Sequence, residues 1–260
     1  YKTLQEAVDS AEEGSTIKVI RGASEPDGAT INKEIVLDTN GKTINLNRVI
    51  HIDTDKDVII KGNGIIQNQQ GSAINIYEVG NLQIKDIVIS SNSINGGNSI
   101  VTDNESGTIT IDNSKIDVIR TNVSSKNTYI NINSGTIGEI YMYYNTAGAN
   151  YLQINGGTIN KINYGFNQFN GGKLQIYGGE IDEITIEDPI GFASDGVIVG
   201  NPNEVVSKTN PYIHNIIDGG CVNELIIQFN SGAIVNNGVI SFVPRSGYTV
   251  TTEYNNEKKE

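Results

Sequence analysis

The chain has 260 residues, enough for one large domain with ample core, and a net charge of −12 with no Lys/Arg block able to follow a phosphate backbone, which argues against nucleic-acid binding. A lone Cys221 excludes an internal disulfide, and His51 and His214 alone leave a usual zinc site short of ligands. No apolar run approaches the roughly 20 residues that span a bilayer, and the start at Tyr1, without Met or a signal peptide, is expected of a piece of a longer protein.

The first predicted element is a helix within residues 1–14. Thr3-x-x-Glu6 reads as a capping box, and Leu4, Ala7, Val8 and Ala11 share one helical face. Gly14 should end the helix, and Thr16–Ile20 reads as a first strand. A stack of parallel strands has open ends that invite aggregation, so this helix is expected to cover one of them.

Self-similarity organises the rest. The segments "TITIDNSKIDVI" (108–119), "YININSGTIGEI" (129–140), "YLQINGGTINKI" (151–162) and "KLQIYGGEIDEI" (173–184) share one frame, which returns in "NIIDGGCVNEL" (215–225). Marker residues Ile111, Ile132, Ile154, Ile176, Ile198 and Ile217 are separated by 21, 22, 22, 22 and 19 positions. Leu37, Ile60 and Ile84 extend the series upstream and Ile240 downstream, giving about ten coils. Short Ile/Val-rich strands at this period, with no helix between them, predict an all-β fold. It is a single-stranded parallel β-helix, expected to be right-handed because parallel crossovers are.

Within the frame, Ser114, Gly135, Gly157, Gly179 and Gly220 form a corner column. Glycine tolerates positive φ, and no helix follows these turns, so Asn155-Gly156-Gly157-Thr158 is a corner rather than a phosphate loop. Strand alternation places Ile140, Ile162, Ile184 and Leu225 inside. Met142, Tyr164, Ile186 and Ile227 follow, then Tyr144, Phe166, Asp188 and Phe229, with Pro189 ending that strand. Outside, Glu139, Lys161 and Glu183 form a ladder of alternating charge, and Asn160, Asp182 and Asn223 a polar column. The repeat is assigned to residues 1–245. Residues 246–260 read as a C-terminal strand and a linker to a further domain.

"YKTLQEAVDSAEEGSTIKVI", followed by "INKEIVLDTNGKTIN" and "VIIKGNGII", resembles the opening of pectate-lyase-like β-helix modules in surface proteins of Gram-positive bacteria. The likeness covers roughly residues 1–66, including Leu37-Asp38-Thr39-Asn40-Gly41-Lys42-Thr43-Ile44. It implies this fold and an extracellular, cell-surface setting, with attachment to the wall through other parts of the parent protein. It implies no particular activity, since that superfamily contains lyases, hydrolases and non-enzymatic adhesins.

The Asn-x-Asp, Asp-Asp, Gly-His-Gly and Arg-x-Lys set of a polygalacturonase-like hydrolase is missing. Asp53, Asp55 and Asp57 alternate but lack the glycine and final glutamate of an EF-hand loop, so calcium there is the lesser reading beside a solvated turn. Asp182, Glu183, Glu187 and Asp188 supply paired carboxylates of the kind that hydrolyse glycosides, and Glu187–Pro211 is the segment where Asp195 could join them. Glu183 already fits the charge ladder and Asp182 the polar column. The expected function is therefore a non-catalytic module for adhesion or carbohydrate binding and display, with no catalytic residue, metal or cofactor. A polysaccharide lyase or glycoside hydrolase is the alternative. The candidate glycan face is Tyr141 and Tyr143 with Gln153, Asn163 and Gln175 on neighbouring coils; the partner is a polysaccharide or a host surface glycan or protein.

Overall fold

The computed structural model describes residues 1–25, 27–91, 97–122, 127–142, 150–165, 173–187, 216–217, 221–227, 234–235 and 239–242. They form an all-β parallel solenoid with one short helix at the N-terminus. The first ladder runs in register through Ile17, Leu37, Ile60, Ile84, Ile111, Ile132, Ile154, Ile176, Ile217 and Val235, every step parallel. From Ile17 to Ile176 these side chains stack because each coil returns an aliphatic residue, Ile in every case but Leu37, to the same rung. Those from Leu37 to Ile176 are fully buried, each worth about 1.5–3 kcal/mol of apolar transfer.

One marker of the sequence frame is corrected and another lies outside the described residues. Ile176 and Ile217 are direct register partners, so they are adjacent rungs of the ladder; Ile198, placed between them by the sequence frame, is not among the described residues. Ile240 pairs with Val222 on the second ladder, while Val235 takes the first-ladder position. The last described coil is shorter than the 22-residue frame, so counting by that period overshot into the next strand. The number and spacing of coils therefore differ from the sequence series.

Each coil has three walls. In the coil built around Ile154, Asn150–Ile154 forms the first, and Thr158–Gly165 supplies the second and third. Pairing skips Gly138, Asn160 and Asp182, where the strand bends from the second wall to the third. The polar column read from the sequence occupies this bend; Asn160 and Asp182 are exposed there. Inside, Met142 and Tyr164 are buried as expected, and the Tyr164 hydroxyl donates to the Asn150 carbonyl at 2.7 Å. Burial, with Tyr151 nearby, pushes the Tyr164 phenol well above its ordinary pKa. Tyr144, Phe166, Asp188, Pro189 and Phe229 lie outside the described residues.

The helix spans Leu4–Ser10, shorter than expected, with Ala11 as its C-cap. Thr3 Oγ1 accepts from Glu6 N at 3.1 Å, but the Glu6 carboxylate accepts from Lys2 N rather than from Thr3, so the capping box closes one residue early. The first strand is Ser15–Lys18. Leu4, Ala7 and Val8 are buried against the first coil. Gln5 substitutes for a missing rung: its Oε1 accepts from Thr30 N at 2.7 Å, on an edge strand whose other side pairs with Ile50–Ile52. Lys33 Nζ donates to Ala11 O at 3.1 Å. Among the described residues no helix is long and apolar enough to cross a membrane.

Candidate functional site: two outward walls

The sequence-predicted face divides between two walls. Gln153 and Gln175 are register partners on the first wall. Tyr141 and Asn163 are partners on the third, in the column that runs Arg120, Tyr141, Asn163, Thr185. The bend at Gly138 and Asn160 sets these pairs on different ladders. Tyr143 lies outside the described residues.

The tyrosines that do accompany Gln153 are Tyr129 and Tyr151. They are register partners on the first wall and stack with ring centroids 4.6 Å apart and planes 9° apart. Sequence reasoning missed them, although the alternation that puts Ile130 and Leu152 inside puts Tyr129 and Tyr151 outside. Burial, then the neighbouring Tyr129, raises the Tyr151 phenol pKa. The next outward column is Thr110, Asn131, Gln153, Gln175, all uncharged. Beyond it the amides bond along the stack: Asn133 Nδ2 donates to Asp112 at 2.9 Å, and Asn155 Nδ2 to Asn133 at 2.8 Å. Gln153 donates to Asn155, and Gln175 to the Tyr177 hydroxyl, each at 3.0 Å. Much of this amide array is thus a structural ladder, its donors already engaged.

The third wall carries a second polar group in the earlier coils. His51 and Asn75 are register partners, and the His51 ring stacks on Tyr77 at 5.1 Å. Asp103 accepts hydrogen bonds from the side-chain amides of Asn75 and Asn122, so its carboxylate is held from coils on both sides. The amide nitrogen of Asn75 must face that carboxylate, which leaves its Oδ1, like His51 Nδ1, buried without a hydrogen-bond partner among the described residues. The signal available in the sequence was the alternation of Asn75, Tyr77 and of Val101, Asp103.

Among the described residues, several members of the acidic clusters are engaged in local pairs. Asp55 pairs with Lys56 at 3.3 Å, and Asp57 accepts from Asn81 Nδ2 at 2.9 Å. No group of three or more His, Cys, Asp or Glu is placed to hold a metal among the described residues. Glu183 is bound by Lys161 at 2.6 Å, and that hydrogen bond holds its carboxyl below the usual value. Glu139 and Lys161 are register partners, so the charge ladder stands in its expected column. Glu187 ends a described strand, while Asp188 and Asp195 lie outside the described residues.

No family model, no curated protein and no solved structure matches this chain.

Proposed function

We propose that the chain is a rigid, non-catalytic module that displays itself at, or adheres to, carbohydrate, in the manner of the pectate-lyase-like β-helix modules its first 66 residues resemble. The observation that carries this reading is the first wall. In a chain with 30 acidic residues, the adjoining columns present no carboxylate: Thr108–Tyr129–Tyr151 carries hydroxyls and phenols before Lys173 follows in register, and Thr110–Asn131–Gln153–Gln175 carries a hydroxyl and amides. Aromatic bodies with polar tips beside amides suit neutral polyols better than ions or nucleic acid. The register supports rigidity, since every rung is hydrogen-bonded to the next. An extracellular location on a Gram-positive cell belongs to the same proposal.

Screening the domain on a glycan array, with reducing-end product measured in parallel, tests it. Binding of neutral glycans without product is expected. Product release that disappears in Glu187→Gln would overturn the non-catalytic reading in favour of a lyase or hydrolase.

A further inference from the structure

Tyr129 differs from its stacking partner. It is 38% exposed, and the other exposed large hydrophobics among the described residues, Tyr1 and Ile20, lie outside this wall. Since Tyr151 covers one face of the Tyr129 ring, much of that exposure belongs to the opposite face and the rim. The register partner on the opposite side is Thr108, whose side chain is far too short to continue the stack. The column therefore has a step: a phenol ring as riser, with Thr108 and Thr110 as tread and Asn131 alongside Tyr129. Asn127 Nδ2 donates to the Tyr129 hydroxyl at 3.1 Å, which fixes the ring from its tip. The side chains of Thr108, Thr110 and Asn131 make no hydrogen bond among the described residues, in contrast to the engaged amides of Asn133, Asn155, Gln153 and Gln175.

We infer that this step is a monosaccharide-binding ledge, in which one neutral hexopyranose lays its C–H face on the open face of Tyr129 while its hydroxyls bond Thr108, Thr110 and Asn131. The aromatic face takes the apolar side of the sugar, and the three unengaged polar groups both donate and accept, as sugar hydroxyls require. None of the four residues is charged, so the ledge offers nothing to balance the carboxylate of an acidic sugar. The inference rests on the carbohydrate reading above and assigns it a place and a sugar class.

The deciding variant is Thr108→Tyr, which extends the stack by one ring and fills the ledge. Its ligand affinity would be measured by calorimetry with the strongest neutral oligosaccharide found on the array, beside Tyr129→Ala. The expected result is affinity roughly tenfold weaker or worse in both variants, with the melting temperature of Thr108→Tyr equal to or above that of the parent. Unchanged affinity in Thr108→Tyr would overturn the ledge and leave the carbohydrate reading standing. An array on which no neutral glycan binds the parent domain would overturn both.

Discussion

The corners of the early coils and those of the middle coils solve the same turn with different residues. Before coil 129–142 each corner places an Asn or Asp in the left-handed region: Asn40 at φ 50°, Asn63 at 55°, Asp86 at 52° and Asn113 at 42°, with Gly41 at 72° and Gly62 at 118° beside the first two. From there on the positive φ among the described residues falls on glycine alone, at Gly135, Gly157 and Gly179, with φ of 115°, 96° and 96°. The Asn and Asp residues lie in or beside the αL basin that they reach by bonding locally; Gly135, Gly157 and Gly179 lie well beyond it. Asn40 takes an Asx bond from its own N–H to Asp38 at 2.8 Å and donates back to Val19 O at 3.2 Å, while Asn113 donates back to Asp86 at 2.7 Å. In the middle coils the Asn column moves to Asn133 and Asn155, ahead of the glycines. Ser114, in register with Gly135, is not at positive φ; Asn113 before it is. One column of equivalent corners, as the sequence suggests, is thus two kinds of corner joined between Asn113 and Gly135.

The severest way to break this comparison is Gly157→Val. A Cβ there would sit 2.8 Å from the Gly135 carbonyl oxygen, a backbone atom that cannot step aside. Strain at φ 96° adds to the clash, so denaturant unfolding should show a loss of about 3 kcal/mol or more. Gly157→Asn against Asn113→Gly sharpens it. If the two corners differ as their φ values indicate, the first should cost about 1–3 kcal/mol despite the fondness of Asn for αL. The second should cost about 1 kcal/mol, the hydrogen bond to Asp86. Equal small effects from both would mean that the corners are interchangeable.

Tyr164→Phe probes the same middle coils from inside. The buried hydroxyl bonds the Asn150 carbonyl, and its removal should cost about 1–2 kcal/mol with little change in the slope of unfolding against denaturant. The early coils offer the smallest effect. Glu25 is 3% exposed beneath the cap, where it accepts from the Leu4 N–H; burial is the main cause of its raised pKa, with Glu6 adding to it. A carboxyl that binds its proton more tightly when folded contributes stability at low pH and loses it as pH rises through the folded pKa, above the ordinary 4.5. Glu25→Gln should remove that decline, by about 1 kcal/mol or less at neutral pH. Melting curves at pH 4 and pH 7, compared between parent and variant, measure it.

Alternation and period were enough to recover the parallel ladders, the buried Ile columns and the outward position of Glu139 and Lys161, because each depends only on neighbours two residues apart and on a constant coil length. The cap was legible in Thr3 and the Leu4, Ala7, Val8 face, though not in Gln5, whose function as a surrogate rung exists only once Thr30 is beside it. Ile240 was misassigned where the coil length changed, since a period carries no information about its own interruptions. The candidate face was half legible. Gln153 and Gln175 share a wall, but the bend at Asn160 turns Asn163 onto another ladder with Tyr141, and Tyr129 with Tyr151 takes their place. Local sequence fixes whether a side chain points in or out, because that follows from backbone pleat. Which outward side chains meet is decided by the stacking of coils some 20 residues apart, and that belongs to the tertiary structure.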